Sequence, residues 1–398
     1  MKVLFICGVF AQCNQQEVEA HAKRPVEYSA NIFQEKLIRG FVEIGAETHV
    51  VSAPFIGSYP NASDILHFQS FETEQTKYQY VPFYNIWGLR NFSRASSLKK
   101  AVRWFADDPD PEKLIIVYSP HTPFLEAAAY AKRKDPKVKV CLVVPDLPQY
   151  MNLDAKVSPI YKIAKKYDIF KIHRLNRYVD SYMLLTEPMK EKLPVGNKPY
   201  CVIEGIIDED IFEKNEKRKA ELLKEKGPEK LIVYTGKMNA KFGVLNLLDA
   251  FSQIQDPNCR LVLCGCGDCD EKIRIASQKD PRILALGQVS PQVAHDWILK
   301  ADVLVNPREN NEEYTKYSFP SKNIEYLASG NPVVAYMLDG MPQQYAGFLC
   351  SVPQDAPLNQ VSLSDASHRA AIFRTYAELH LFARRIAHSI VVMTHDFT

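Results

Sequence analysis

The chain is predicted to be an α/β protein in which two Rossmann-like, doubly wound parallel-sheet domains face each other across a cleft. Two observations predict this class. Short β-branched runs alternate with helix-sized amphipathic segments, and the alternation restarts halfway along the sequence. The length agrees with two domains, because 398 residues suffice for two domains of roughly 150 to 200 residues each. The composition, with 46% hydrophobic and 24% charged residues, is typical of a globular protein.

Five apolar runs predict the sheet of the first domain, residues 1–198. They are KVLFICG at the start, ETHVVSA from Glu47, LIIVYSP from Leu114, KVCLVVPD from Lys139 and SYMLLT from Ser181. The gaps between them are long enough for helices, which predicts parallel strands covered on both faces.

Five further runs predict the sheet of the second domain, residues 199–347. They are KLIVYTG, CRLVLCG, RILALG, ADVLVNP and NPVVAY, in that order. The charged stretch 213–230, EKNEKRKAELLKEKGPEK, precedes them and is interpreted as either a solvated helix or the connector between the domains.

Residues 348–398 differ in composition from the rest and are set apart as an atypical C-terminal tail. Every lysine of the chain lies at or before Lys322, whereas the tail carries four of the ten histidines. One interpretation is a divergent helical segment. The other is the hypothesis that a shifted reading frame or truncation replaced the native tail after about Gly347, which an uninterrupted frame with a homogeneous codon pattern in the source DNA would exclude.

Charge and cysteine usage exclude several classes. Lys and Arg total 49 against 47 Asp and Glu, so a formal charge of +2 argues against a chain built as a whole to bind nucleic acid. The start of the chain, MKVLFICGVFAQC, has too short an apolar run for a signal peptide, so a cytoplasmic location is expected. Most of the nine cysteines sit singly in apolar stretches, which is typical of reduced thiols.

Basic and flexible residues follow the strand LIVYT. Gly236, Lys237, Lys241 and Gly243 lie in the segment TGKMNAKFGVLNLL, at the predicted start of a helix. A helix N-terminus with two nearby ammonium groups suits a diphosphate and can stabilise it as a leaving group. The alternative is a surface turn whose lysines are only solvated.

In the first half, polar side chains follow two neighbouring strands. His121 comes just after LIIVYSP, and Asp146 just after CLVVP. At the carboxyl ends of parallel strands, a histidine could accept a proton or orient a sugar hydroxyl, and an aspartate could fix a hydroxyl. The alternative for His121 is a turn histidine satisfied by the backbone.

The segment CGCGDCD resembles half of a dinucleotide fingerprint. Gly265 and Gly267 have the first two spacings, but the third position is Asp270, and the N-terminal strand offers only Gly8. An NAD-type site is therefore weakly supported.

Metal-binding patterns are incomplete. The single C-x-x-C pair, Cys266 and Cys269, has no second pair to complete a zinc site. Acidic D-x-D matches occur at 108–110 and 208–210, but in turn-like sequence where such patterns are frequent. No metal is expected.

The segment YSFPSKNIEYLASGNPVVAY, residues 317–336, predicts a short helix between a loop and a buried strand. Pro320 suits the first helical turn and Gly330 the left-handed position after the last, which predicts a helix of about ten residues. Glu325 then lies near the opening turns, where its carboxylate could accept hydrogen bonds from a ribose diol. The alternative is a solvated helix glutamate.

Four segments of the second half resemble, in order and spacing, the C-terminal domain of retaining GT-B glycosyltransferases of family 4, the group 1 type. They are YTGKMNAKFGVLNLLDAF, LALGQVS, ADVLVNPR and FPSKNIEYLASGNPVVAY. VYSPH, VVPDLPQYM and VIEGIID fit the same family, particularly members from bacterial capsular and exopolysaccharide clusters. The resemblance implies transfer of a sugar from a nucleotide-diphosphate-sugar to a glycan or lipid-linked acceptor, without a metal or other cofactor.

The resemblance also implies roles for individual residues. Lys237 and Lys241 would bind the donor diphosphate, Glu325 the ribose, and His121 the donor sugar. We therefore predict the catalytic residues His121, Lys237 and Lys241, the sugar-side or acceptor-side residue Asp146, and the donor-binding residues Gly8, Gly236, Gly243, Ser318, Lys322 and Glu325. Alternatives are a nucleotide-sugar epimerase of the same fold and a non-catalytic nucleotide-sugar binding protein or inactive remnant.

The sequence departs from the family pattern at three places. Tyr317 occupies the position eight residues before Glu325 where the family usually carries a Glu. Lys237 stands where an Arg is common, which replaces a bidentate fork by a point charge. The atypical tail stands where the family's last helices usually cross back to brace the first domain.

The stretch from Lys156 to Arg177 is strongly basic. Seven cationic residues are interleaved with apolar ones, and Asp168 is the one acid. Such a segment could lie on an anionic membrane leaflet, as a peripheral contact on the inner face of the plasma membrane. The alternative is a solvated helix whose apolar side packs on its own domain.

Overall fold

The computed structural model describes residues 1–10, 18–23, 28–73, 77–150, 159–353, 356, 358 and 366–395. The chain divides into two compact units: the first contains residues 1–206 and 382–398, the second residues 207–381. The sequence-based boundary at 198 lies before this division. Lys156 lies outside the described residues.

The first unit is built on an eight-stranded sheet. Its strands and those of a small two-stranded ribbon are β1 (Lys2–Cys7), β2 (Glu47–Ser52), β3 (His67–Phe68), β4 (Phe71–Thr73), β5 (Tyr78–Tyr80), β6 (Phe83–Tyr84), β7 (Lys113–Tyr118), β8 (Lys139–Val144), β9 (Ser181–Leu184) and β10 (Tyr200–Val202). The sheet order is β10-β9-β8-β7-β1-β2-β5-β4, with β3 and β6 forming the ribbon. All sheet neighbours are parallel except β4 and β5.

Helices cover this sheet. They are α1 (Tyr28–Glu43), α2 (Arg90–Ala101), α3 (Arg103–Asp107), α4 (Thr122–Lys134) and α5 (Pro159–Leu175). Every residue of β7 is buried, as expected for a central parallel strand with helices on both faces. The five predicted strands are β1, β2, β7, β8 and β9, and the prediction of a parallel α/β sheet is confirmed.

The second unit has a six-stranded sheet in which all neighbours are parallel. The strands are β11 (Lys230–Thr235), β12 (Cys259–Cys264), β13 (Ile283–Gly287), β14 (Val303–Asn306), β15 (Val333–Tyr336) and β16 (Cys350–Val352). Their order is β13-β12-β11-β14-β15-β16. The first five are the predicted strands, and β16 lies in the segment set apart as a tail.

The helices of the second unit are α6 (Ile211–Leu222), α7 (Val244–Ser252), α8 (Asp270–Lys279), α9 (Pro291–Lys300), α10 (Lys322–Leu327) and α11 (Ala366–His380). Helix α6 covers the first part of the charged stretch 213–230, so the solvated-helix interpretation holds there. In the part of the chain that the structure describes, no helix is both long and apolar enough to cross a bilayer.

The last helix, α12 (Ala383–His395), belongs to the first unit. Ala383, Ile386 and Ile390 are buried in the core cluster that also holds side chains of β1 and α1. The contact is close, since a Cβ added to Gly40 of α1 would lie 2.3 Å from the carbonyl oxygen of Ala383. The described residues of the segment 348–398 are therefore divided between the two units.

Candidate active site

The second sheet has a topological switch point between β11 and β14. The chain leaves β11 toward β12 on one side, and β14 later pairs with the other side of β11. Loops after two such strands diverge, which leaves a crevice at their carboxyl ends. The loop after β11 begins with Gly236, and the loop after β14 begins with Pro307.

Gly243 brings these two loops together. It has φ +78°, and a Cβ at this position would lie 1.9 Å from the carbonyl oxygen of Pro307. Only glycine combines a left-handed backbone with so close an approach. The residue therefore fixes the turn that carries Lys241 against the loop that carries Arg308.

The glycines after β12 serve a similar purpose. A Cβ on Gly265 would lie 1.8 Å from the carbonyl oxygen of Gly236, and one on Gly267 would lie 2.5 Å from the carbonyl oxygen of Met238. The loops are also hydrogen-bonded, since the Cys269 amide donates to the Met238 carbonyl at 2.9 Å. The half fingerprint thus has a structural explanation in loop packing.

The two predicted diphosphate lysines lie in the loop after β11. Lys237 is exposed, and its carbonyl accepts a hydrogen bond from the Tyr234 hydroxyl at 3.1 Å. Lys241 is also exposed, in the 3₁₀ turn Ala240–Phe242 directly before Gly243 and α7. Both residues therefore follow the carboxyl end of β11, and Lys241 lies directly before the N-terminus of α7.

Arg308 is a third cation at this edge, and the sequence reasoning missed it. The residue is only 7% exposed, and its guanidinium lies 4.9 Å from the Tyr314 ring centroid and 5.8 Å from that of Phe242. Its Nη1 donates to the Ser318 hydroxyl at 3.5 Å. Arg308 therefore lies between the Lys241 turn and the segment that leads into α10. An arginine just after a strand at a switch point is the signal that would have identified it.

Helix α10 is shorter than predicted, with six residues rather than about ten. The residues on either side of the helix form non-helical turns, and Gly330, with φ +72°, reverses the chain after it. The helix is nevertheless firmly held. The Tyr326 hydroxyl accepts from the Thr235 amide at 2.8 Å, and the buried Asn306 side chain donates to Asn323 at 2.6 Å.

Glu325 lies in the first turn of α10, and its Oε2 is 2.6 Å from the Nζ of Lys322. Both side chains are more than a third exposed, so this i,i+3 pair contributes little to stability. The carboxylate is accessible to a ligand while the helix that carries it is fixed to β11 and β14.

Tyr317 is buried, with 4% of its surface exposed, at the end of the 3₁₀ turn Glu313–Tyr317. A core aromatic ring thus takes the position where the resembled family usually has an acid. Any acidic contact to the donor from this loop would have to come from another residue.

In the first unit, Gly8 and His121 follow adjacent strands, β1 and β7. The Gly8 amide donates to Gln34 at 2.9 Å, and a Cβ here would lie 2.4 Å from the Phe55 ring. His121 is the N-cap residue of α4, with its ring centroid 6.0 Å from that of Phe55 and 4.8 Å from that of Phe124. The aromatic wall leaves the Nδ1 of His121 buried without a hydrogen-bond partner among the described residues.

Burial holds the pKa of His121 well below its usual value, and the positive charges of Arg94 and Arg90 lower it further. Arg94 is itself buried, lies 4.2 Å from the Phe83 ring centroid and donates to the carbonyl of Pro54. His121 is therefore neutral at physiological pH and can accept or donate a hydrogen bond without carrying charge.

This neutral state predicts an acid sensitivity. A histidine in the unfolded chain has a pKa of about 6.5, whereas folded His121 stays neutral at that pH. Below that pH the unfolded chain binds the additional proton, so acid favours unfolding. The free energy of unfolding should fall as pH drops from 7 to 5, and His121→Gln should remove up to about 1.4 kcal/mol of that fall per pH unit. Denaturant titrations at several pH values measure this. His388→Gln, at an exposed histidine of α12, is the matched control, and equal slopes for His121→Gln and the wild type would contradict the prediction.

Asp146 is exposed two residues after β8, the strand next to β7. Burial raises the pKa of Tyr118, and the charge of Asp146 contributes to the same shift. Asp146 therefore lies near the carboxyl end of β7, at the edge of the sheet where His121 also lies.

Residues 229–360 match the family model for glycosyl transferases group 1. They form a glycosyltransferase domain. The match contains the whole second sheet, from β11 to β16, and every candidate group described in that unit. No curated protein matches the chain by sequence.

Solved glycosyltransferase structures share the fold over the whole chain. Sucrose-phosphate synthase from Thermosynechococcus elongatus has 14% identity and a TM-score of 0.66, covering 100% of this chain and 99% of that one. HepE from Anabaena, solved with UDP, has 14% identity and a TM-score of 0.61, with 98% of each chain covered. WaaG, a glycosyltransferase involved in lipopolysaccharide biosynthesis, has 13% identity and a TM-score of 0.57, with 99% of each covered. The predicted GT-B fold is therefore confirmed, while identities this low do not identify a substrate.

Within the glycosyltransferase domain, the predicted residues Gly236, Lys237, Lys241, Gly243 and Ser318 lie in loops that meet at one edge of the sheet. Lys322 and Glu325 pair in the adjacent helix. Gly8, His121 and Asp146 lie at the corresponding edge of the first unit's sheet.

Metal-binding groups do not cluster in the described part of the chain, where no three His, Cys, Asp or Glu side chains come together in a metal-binding arrangement. Burial raises the pKa of the Cys264 and Cys269 thiols to about 11. Asp108, from the first D-x-D match, pairs instead with Lys2 at 2.5 Å.

Proposed function

We propose that the protein transfers a sugar from a nucleotide-diphosphate-sugar to a glycan or lipid-linked acceptor in bacterial cell-surface polysaccharide synthesis, with net retention at the anomeric carbon. One observation carries the proposal: Lys237, Lys241 and Arg308 lie in the loops at the carboxyl edge of the sheet in a glycosyltransferase domain, with Glu325 on the adjacent helix. Three cations and one accessible carboxylate match a diphosphate joined to a ribose.

In this proposal the diphosphate is the leaving group. Cleavage of the bond between the anomeric carbon and the phosphate oxygen places an additional negative charge on the diphosphate. The ammonium groups of Lys237 and Lys241 stabilise that charge, and the N-terminus of α7 adds unpaired backbone amides. Arg308 supplies a planar fork that can hold two phosphate oxygens at once.

Glu325 would bind the ribose. Its carboxylate accepts hydrogen bonds only, and a ribose diol offers two donors. Its carboxylate lies 2.6 Å from the ammonium group of Lys322, so a ribose hydroxyl would share the carboxylate with that group.

His121 and Asp146 would act on the sugar side. A neutral imidazole can accept or donate a hydrogen bond with a sugar hydroxyl without carrying charge. Asp146 follows the neighbouring strand and is exposed, so it can accept from a second hydroxyl.

Uridine diphosphate is the first donor nucleotide to test. HepE has been solved with UDP and with UDP and glucose, and WaaB is a lipopolysaccharide outer core galactosyltransferase. Both share the fold of this chain at low identity, which supports the class of donor without naming the sugar.

Ligand-induced thermal shift tests the proposal. UDP, GDP and their sugars are added to the full chain, and one nucleotide class is expected to raise the melting temperature. A ligand at 100 times its Kd adds about 2.7 kcal/mol to the free energy of unfolding. Glu325→Ala and Lys241→Ala should abolish the shift. Glu271→Ala and Lys279→Ala, exposed on α8 of the same domain, are the matched controls and should retain it.

Two results would contradict the proposal. One is the absence of a shift with every nucleotide in a folded protein. The other is an equal loss of the shift in the control variants, because binding would then not depend on the proposed site. Release of free nucleotide from the sugar donor, measured next, separates a transferase from a binding protein.

A further inference from the structure

One helical layer of the first unit contains α2, α4 and α5 side by side. Helix α4 packs against both neighbours, and Glu126 in its second turn pairs with Lys99 of α2 and with Lys171 of α5. Thr122, at the start of α4, donates to Asp168 of α5. Residues 122 and 126 of α4 thus lie level with residues 168 and 171 of α5, so the two helices run in the same direction.

The stretch from the end of β6 to the first turn of α2 exposes several large apolar side chains, which we call the aromatic cluster. Its members are Tyr84, Ile86, Trp87, Leu89 and Phe92. Trp87 is 56% exposed and Phe92 is 73% exposed. Several large apolar side chains exposed close together in sequence often mark an interaction site. Tryptophan and tyrosine side chains prefer the boundary between lipid and water.

Helix α5 exposes a second apolar group, which we call the α5 stripe. Ile163, Tyr167 and Phe170 are 70%, 62% and 56% exposed, and their i, i+4, i+7 spacing places them on one side of the helix. The alternative interpretation from the sequence, that the apolar side of this helix packs on its own domain, holds for the buried Ile172 but not for these three residues.

The charge around the α5 stripe is positive. Lys162, Lys166 and Arg174 are exposed, and neither lysine has a hydrogen-bond or ion-pair partner within the described ranges. The one acid of the helix, Asp168, is turned inward toward Thr122. An exposed apolar stripe flanked only by cations complements a surface that is apolar beneath an anionic layer.

Both groups lie at the end of the layer where α4 begins. Phe92 is two residues before Arg94, whose guanidinium contacts Pro54 beside Phe55 and so lies close to the His121 ring. Ile163 precedes Asp168 by five residues, so at about 1.5 Å per residue it projects beyond the start of α4. The aromatic cluster and the α5 stripe therefore share the end of the unit that carries His121.

We propose that the aromatic cluster and the α5 stripe together dock this protein on the surface of an anionic lipid bilayer. The docked face would hold the His121 end of the first unit at the membrane, where a lipid-linked acceptor is anchored. The part that concerns the acceptor rests on the proposed function, whereas membrane binding itself does not.

Vesicle flotation of the full chain tests the proposal. The protein should bind to vesicles of phosphatidylcholine containing phosphatidylglycerol and float with them. Much less protein should float with vesicles of phosphatidylcholine alone. Trp87→Ser with Phe92→Ser, and separately Ile163→Ser with Phe170→Ser, should each lower partitioning to the anionic vesicles roughly tenfold or more. Lys162→Glu with Lys166→Glu should lower it by a similar factor and remove most of its salt dependence.

Matched variants control for general surface effects. Leu286→Ser with Val293→Ser removes exposed apolar side chains from the second unit, and Lys217→Glu with Lys279→Glu reverses exposed charges there. Both should bind vesicles like the wild type. Thermal unfolding without ligand verifies that every variant is folded.

Three outcomes would overturn the proposal. They are no preference for anionic vesicles in the wild type, unchanged binding in both apolar double variants, and an equal loss in the controls. Light scattering without vesicles adds a fourth: if the apolar variants convert a dimer to a monomer without changing vesicle binding, the face is an interface between copies of this chain. Because no nucleotide is present, these outcomes are independent of the donor-binding test.

Discussion

Replacing Arg308 by alanine is expected to lower donor turnover by about two to three orders of magnitude, because a buried cation that faces developing charge contributes far more than an exposed one. Arg308 is only 7% exposed, and its guanidinium lies between the Lys241 turn and Ser318. Release of nucleotide from the sugar donor, measured as kcat/KM, is the readout. The loss should be mainly in kcat if Arg308 acts on the departing diphosphate.

Two variants make this result interpretable. Arg308→Lys keeps the charge but removes the planar fork, so it should recover only part of the activity. Arg274→Ala removes an arginine that pairs with Glu271 on the exposed face of α8 and should leave kcat/KM unchanged. Wild-type turnover in a folded Arg308→Ala protein would exclude Arg308 from the site.

Gly243→Ala is expected to destabilise the second unit by about 3 to 5 kcal/mol, which combines the cost of a left-handed alanine with that of overpacking. The backbone has φ +78°, and the added Cβ would lie 1.9 Å from the carbonyl oxygen of Pro307. Neither partner is the flexible end of a side chain, so the two loops must separate. Chemical denaturation, followed by the midpoint and slope, measures the loss.

A glycine series separates the two costs. Gly330 has φ +72° but nothing within 4 Å of an added Cβ, so Gly330→Ala should cost only about 1 kcal/mol. Gly347 also has open space and lacks the positive φ, so Gly347→Ala should be close to neutral. If Gly243→Ala costs no more than Gly330→Ala, the close contact between the loops does not constrain this unit.

The sheets of both units were predictable because long, β-branched runs carry a strong signal. KVLFIC and KLIVYT became β1 and β11 with nearly the expected bounds. Strands of two or three residues, such as β3 and β6, carry no such signal, because tertiary contacts rather than local propensity decide whether they form.

The candidate site was predictable where a residue is tied to its neighbours in sequence. Lys237 and Lys241 follow β11 directly, so the strand alone locates them. Arg308 and Gly243 become neighbours only because β14 pairs with β11, and this pairing depends on strand order. The helix that carries Glu325 was predicted too long. Pro320 and Gly330 mark the limits of the whole helix-and-turn segment, whereas the helix itself covers only Lys322–Leu327.

The tail shows that unusual composition does not exclude regular packing. Ala383, Ile386, Ala387 and Ile390 have the i, i+3, i+4, i+7 spacing of a helix with one apolar side, and all four are buried in the first unit. The pattern was present in the sequence, but the partner it packs on, α1, lies at the other end of the chain.

The position of α12 has a consequence for how the protein is made. During translation the first 206 residues emerge from the ribosome first, and the whole second unit follows. Only then does α12 emerge, the helix that packs beside α1 and Gly40. Until α12 emerges, residues 1–206 expose the apolar surface that α12 later covers, which is the condition under which emerging chains engage chaperones or aggregate. Folding of the first unit can therefore be completed only after the second unit has been synthesised.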